Sequence, residues 1–222
     1  MLRRDYILRM IQQAAEMIAR IQSLKKERRW TDAQGNLDAE LQTLVGANLE
    51  TIASLSQTEL LALVIRGEST LAVKEKTFVI SALLKEAGDI AVAQNRDEES
   101  RTCYLKGLHL LLDALSEGDV FEFPEFVPRV EMFVSALADG PLPLQTQAGL
   151  MQHYERTGQF GKADDAFFAM LDAEPNNSEL IDFGIAFYQR LLRQSDDNLV
   201  VGNLPRDEVE ATLAELRGRR KL

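Results

Sequence analysis

Side chains able to attack a substrate, transfer protons or ligate a metal are few in this sequence: two histidines, one cysteine and short acidic runs. His109 sits in a leucine-rich stretch and reads as a core or rim histidine, while His153 precedes Tyr154 and reads as packing. No HExxH, GxSxG, phosphate-binding loop or GxGxxG occurs. Cys103 has no adjacent cation or helix start to activate it and reads as a small buried residue. Being single, it forms no internal disulfide, and no Cys/His cluster has zinc spacing. Asp97-Glu98-Glu99 and Asp164-Asp165 are expected at helix starts, where acids complement the dipole, and Asp196-Asp197 in a polar linker. The expectation is no catalytic centre, no metal and no cofactor.

The elements that would position these residues are all helical. Nineteen glycines and prolines in 222 residues leave few breakers. Ile7, Met10, Ile11, Ala14, Met17, Ile18, Ile21 and Leu24 recur at helical spacing and predict a long N-terminal helix. A second pattern runs through Leu37, Leu41, Leu44 and Val45 and on towards Ile52. Ser56-Gln57-Thr58-Glu59 has the spacing of a capping box, starting a short helix that Gly67 ends. Longer helices are expected over about 71–95 and 98–116. Gly118 and the aromatic segment Phe121, Phe123, Pro124, Phe126, Pro128 interrupt them, giving expected regions 1–120 and 121–222. Further helices are expected over 126–138, from Pro143, over 178–194 and over 205–217, with no strand anywhere.

A repeat is visible in the second region. Leu150, Tyr154, Ala163, Phe167 and Pro175 fall at the spacings of a tetratricopeptide repeat, with Gln147 and Met151 in place of its Trp and Gly, over about 144–177. Ala163 is small so that the second helix can approach the first; Tyr154 and Phe167 fill the space between them, Gly158 permits the turn and Pro175 ends the unit. Ile181, Gly184, Ile185 and Tyr188 occupy matching positions on the next first helix. Arg28-x-Trp30-x-x-Ala33-x-x-x-Leu37 and Asn95-x-Asp97-x-x-Ser100-x-x-x-Tyr104 echo the turn and second helix. The predicted fold is all-α, with irregular TPR-like stacked helical hairpins behind a long N-terminal helix.

The opening Met1-Leu2-Arg3-Arg4-Asp5-Tyr6-Ile7-Leu8-Arg9-Met10-Ile11, the Leu55-Ser56 segment before Leu60-Leu61, Gly184-Ile185-Ala186-Phe187-Tyr188 and Leu204-Pro205-Arg206-Asp207-Glu208-Val209 together resemble a bacterial family of unknown function with tetratricopeptide-like helices. The resemblance spans nearly the whole chain. It implies a bacterial, all-helical protein and brings no catalytic residues.

Net charge is −10, which disfavours a dedicated duplex-binding protein. Residues 1–30 carry eight Lys or Arg against three acids, and Arg217, Arg219, Arg220 and Lys221 close the chain, so basic ends flank an acidic body. The longest apolar run, Leu60-Leu61-Ala62-Leu63-Val64-Ile65, is far below the ~20 residues that span a bilayer. A cytoplasmic, non-catalytic protein that binds a protein or peptide is therefore expected. Tetratricopeptide arrays line their concave face with first helices. That resemblance transfers here to Gln145, Ala148, Gln152, Glu155 and Arg156, and to Glu179, Asp182, Gln189 and Arg190. The alternative is a homo-oligomer held by the N-terminal helix and the aromatic connector, testable with Ile11→Glu or Ile18→Glu.

Overall fold

The computed structural model describes residues 2–67, 70–116 and 124–220. Gly118, Phe121, Glu122 and Phe123 of the expected connector, and Lys221 of the basic end, lie outside these. Twelve helices and no strand are found among the described residues. They fall into two compact units, Met1–Pro141 and Leu142–Leu222, so the division comes after Pro141, past the expected 120/121.

In the first unit, α1 (Leu2–Lys26) and α2 (Trp30–Val45) form one helix pair, and α5 (Thr70–Ala93) and α6 (Asp97–Ser116) another. Residues 76–84 of α5 are all buried, because α1, α2, α4 and α6 pack around it. A helix enclosed in this way carries little amphipathic signal. The expected run from Leu37 to Ile52 is broken. Gly46 takes a left-handed φ of 71° and donates its N–H to Gln42, and α3 (Leu49–Ser54) restarts under the Asn48 cap. The capping box forms as read: Ser56 accepts from the Glu59 N–H while the Glu59 carboxylate takes the Ser56 N–H, opening α4 (Gln57–Ile65). The last helix, α7 (Val130–Ala136), packs on α6, and Phe126 seats against the core.

Ile18, Ile21 and Ala14 of α1 belong to this same core, Ile18 at 2% exposure. Ile18→Glu would therefore bury a charge in the chain's own interior, and it does not report on self-association.

Beneath α1 lies an ionic network. Lys25 donates to Glu86 and Asp89, Lys85 to Asp89 at 2.8 Å, Tyr104 to Asp89 at 2.9 Å and Gln22 to Glu86 at 3.0 Å. Burial alone would raise the Asp89 carboxyl, but the hydrogen bonds and charges of the two lysines outweigh it and hold the group below its ordinary value. Glycines set how near helices come. A methyl on Gly88 would lie 2.6 Å from Cδ1 of Tyr104, and one on Gly107 would lie 2.7 Å from Cε1 of Phe133.

The turn echoes seen in the sequence share one backbone geometry. Arg28, Asn95 and Gly158 are left-handed at φ 58°, 56° and 72°. In each, the next N–H closes onto a carbonyl five residues back: Arg29 to Leu24, Arg96 to Ala91, and Gln159 to Tyr154, all at 2.9 Å. These are Schellman closures, in which a left-handed residue satisfies the last carbonyls of a helix. The next helix starts at once, and its fourth residue is small and buried: Ala33, Ser100 and Ala163.

In the second unit, α8 (Leu144–Arg156) pairs with α9 (Phe160–Ala173), and α10 (Ser178–Leu191) with α12 (Arg206–Arg219). Ala163 and Phe167 are fully buried and Tyr154 nearly so, as the repeat spacing requires. The expected polar linker at Asp196-Asp197 is instead α11 (Asp196–Val201), capped by Ser195 with both acids in its first turn. Asp164 does not serve a helix start. It lies a turn inside α9 and accepts the buried Tyr188 hydroxyl.

Candidate functional site

The face formed by α8 and α10 is built by two amphipathic helices. On α8, Thr146, Leu150, Met151 and Tyr154 are buried; on α10, Ile181, Gly184, Ile185, Phe187, Tyr188 and Leu191 are. The carried-over positions therefore fall on the outer sides. Gln145, Gln152, Arg156, Glu179, Asp182, Gln189 and Arg190 are exposed, and Ala148 and Glu155 half-buried. Asn177 starts α10 by accepting from the N–H groups of Glu179 at 3.0 Å and Leu180 at 3.1 Å.

Two of these residues are brought together across the helices. Arg190 donates Nε to Oε1 and Nη2 to Oε2 of Glu155, both at 2.7 Å. This is a fork-to-fork pair, the strongest geometry available to a guanidinium and a carboxylate. The Glu155 hydrogen bonds hold the Arg190 guanidinium even further above its ordinary value. Underneath, Gly184 lets α10 close onto α9: a methyl there would sit 2.5 Å from Cε2 of Phe167, and closer still to its Cζ. At the other end of α10, Asp182 receives Nε of Arg220 at 2.9 Å.

Sequence reasoning missed four residues of this unit. Ala186 is exposed one turn beyond Asp182, a register neighbour that spacing alone would have found. Arg220 reaches α10 from the C-cap of α12, and nothing local to it announces that partner. Arg206 donates to the Leu192 carbonyl at 3.2 Å, to the Gln194 carbonyl at 2.7 Å and to Asp196, closing the end of α10. Gly161 donates its N–H to the Gly202 carbonyl at 2.8 Å, tying the start of α9 to the end of α11.

His109 belongs to the first unit and His153 to the second. On α6, burial lowers His109 and Lys106 and raises Asp113, Lys106 bonds the Leu55 carbonyl, and Gln57 donates to Asp113 at 3.4 Å. That seam docks the start of α4 onto α6. His153 is half-buried with its ring 5.5 Å from that of Tyr154. Cys103 is 1% exposed, and burial, with the Glu99 charge, pushes its thiol up to about 12. Among the described residues, no three His, Cys, Asp or Glu side chains are gathered to hold a metal, and no helix is long and apolar enough to cross a membrane.

The fold and the site thus define an all-helical protein of paired helices that carries an exposed, polar, ion-paired two-helix face. Residues 1–221 match the model of the Family of unknown function (DUF6483), and the chain belongs to that family. No curated protein and no solved structure matches it.

Proposed function

We propose that this chain is a non-catalytic, cytoplasmic bacterial scaffold that stacks TPR-like helix pairs and binds a protein or peptide partner on the α8/α10 face. The Glu155–Arg190 fork carries the reading. It joins the C-terminal ends of the two first helices directly, and Gln152 and Ala186, one turn before Glu155 and Arg190, flank it on the outer side. The TPR-like reading is supported by the shared turn at Arg28, Asn95 and Gly158, and by Gly88, which precedes Ser100 by the spacing that separates the repeat's Gly from its Ala. The exposed amides of Gln145, Gln152 and Gln189 suit hydrogen bonding to the main chain of an extended or helical peptide. Chaperone-tail binding is disfavoured, because Ala148 and Gln152 stand among the positions where a carboxylate clamp has lysines and asparagines. A single cysteine, with no second one for an internal disulfide, fits a reducing compartment.

The test is affinity capture from the cell of origin with the native chain and an Arg156→Glu/Gln189→Glu variant, both exposed positions, so that its thermal melt should match the native one. A protein retained by the first and lost by the second supports the face as the binding site. The same set captured by both rejects it.

A further inference from the structure

The seam between α1 and α5 treats its carboxylates in opposite ways. Gln22 donates to Glu86 at 3.0 Å, and Lys25, three residues further along α1, reaches Glu86 and also Asp89, three residues further along α5. Contacts that advance together on both helices mean that the two run the same way. Eleven residues make three helical turns, so Ile11 and Glu75 stand at the register of Gln22 and Glu86, three turns nearer the helix starts. Where Glu86 meets an amide and an ammonium, Glu75 stands in register with an isoleucine. Glu75 is half-buried, and its Oε2, shut off from solvent, has no hydrogen-bond partner; among the described residues it is the one carboxylate oxygen in that condition. The surroundings are apolar: Ile7, Met10 and Ala14 of α1 and Ala72 and Val79 of α5 are buried.

We propose that Glu75 is a proton-controlled latch: protonated, it lets the N-terminal half of α1 pack on α5, and ionised, it loosens that half while the Lys25 end stays tied. A charged oxygen with neither donor nor water costs far more in such a seam than a neutral one. Burial accordingly raises the Glu75 carboxyl above its ordinary value, and the Lys74 charge on the same helix, which pulls the other way, does not undo this. Among the described residues no charge from α1, α2, α4 or α6, the helices packed around α5, acts on it. The penalty is absent below the unfolded value of ~4.3, where both states hold the proton; it grows as pH rises and is complete above the raised folded value. Asp89, held down by its lysines, responds in the opposite sense.

The test is hydrogen exchange read by mass spectrometry on the full chain from pH 4 to pH 8, corrected for the intrinsic rate, over residues 7–14 and 18–24. The native chain at pH 8 is expected to protect 7–14 less than 18–24. Glu75→Gln, and Glu75→Met, which removes the polar group altogether, are expected to protect 7–14 roughly three- to tenfold more than the native chain at pH 8, a pKa shift of one unit being a factor of ten. The gap should close towards pH 4. Equal protection of 7–14 in the three proteins at pH 8 overturns the proposal. So does a gap as wide at pH 4 as at pH 8, which would mark packing and not a proton. Equal protection of 7–14 and 18–24 in the native chain at pH 8 overturns it as well, because α1 would then open as one piece.

Discussion

Replacing Gly184 by alanine tests the packing on which the two-helix face depends. A methyl there would lie 2.5 Å from Cε2 of Phe167 and 3.1 Å from Cδ1 of Leu216, against an ordinary contact of 3.4–4 Å. Phe167 is fully buried and packs edge-on against Tyr188, ring centroids 5.8 Å apart, so it has no free space to retreat into. Overpacking of this kind costs ~1–3 kcal/mol, and alanine in a helix interior recovers ~0.5–1 kcal/mol over glycine, leaving a net loss of about 0.5–2 kcal/mol. Urea unfolding followed by circular dichroism reads the difference as a lowered midpoint with an unchanged slope. Truncating the ring by Phe167→Leu should cost less in the Gly184→Ala background than in the native chain, because it relieves the clash. An unchanged or raised midpoint for Gly184→Ala, or strict additivity of the two substitutions, would refute the close approach of α9 and α10.

Other outcomes follow from the same structure. Gly35 lies inside α2 with nothing within 4 Å of an added methyl, so Gly35→Ala should stabilise by ~0.5–1 kcal/mol; a lower thermal midpoint contradicts this. Lys25→Ala leaves Glu86, 4% exposed, with only the more distant ammonium of Lys85 at 3.9 Å and should cost ~1–3 kcal/mol in denaturant unfolding, and an unchanged midpoint contradicts this. The Asp89 carboxyl is held below its unfolded value of ~3.9, so its contribution is complete above that pH and is lost as pH falls through the lower folded value. Asp89→Asn should therefore lower stability at neutral pH and flatten its fall below about pH 4, and parallel curves for the two proteins would disprove it. Cys103 should resist a thiol reagent in the native chain and react fully in urea; rapid native labelling contradicts its burial.

Much of the local structure was legible because its causes are local. The capping box at Ser56, the small residue after each hairpin turn and the stripe of α1 are short-range patterns, and each formed where its spacing placed it. The misreadings have a common physical origin in residues whose meaning is set from a distance. Asp196-Asp197 looked like linker because a six-residue helix offers too little periodicity to detect. Asp164 was read as a helix-start acid, when its partner is a tyrosine on another helix. Gly107 gave no signal as a spacer until Phe133 stood against it, whereas Gly88 stands at repeat spacing before Ser100, a signal too sparse to single out by itself. For the candidate site, repeat register placed the carried-over positions on outer faces, but it treated Glu155 and Arg190 as separate binding groups when they satisfy each other.

The most direct measurement is site-specific photo-cross-linking in the cell of origin, with a benzophenone side chain at Gln152 or Gln189, and at Ala211 on the exposed side of α12 as the control. The account predicts one discrete protein adduct shared by the two face positions and absent from Ala211. No adduct at either face position, or the same pattern from all three, would contradict it.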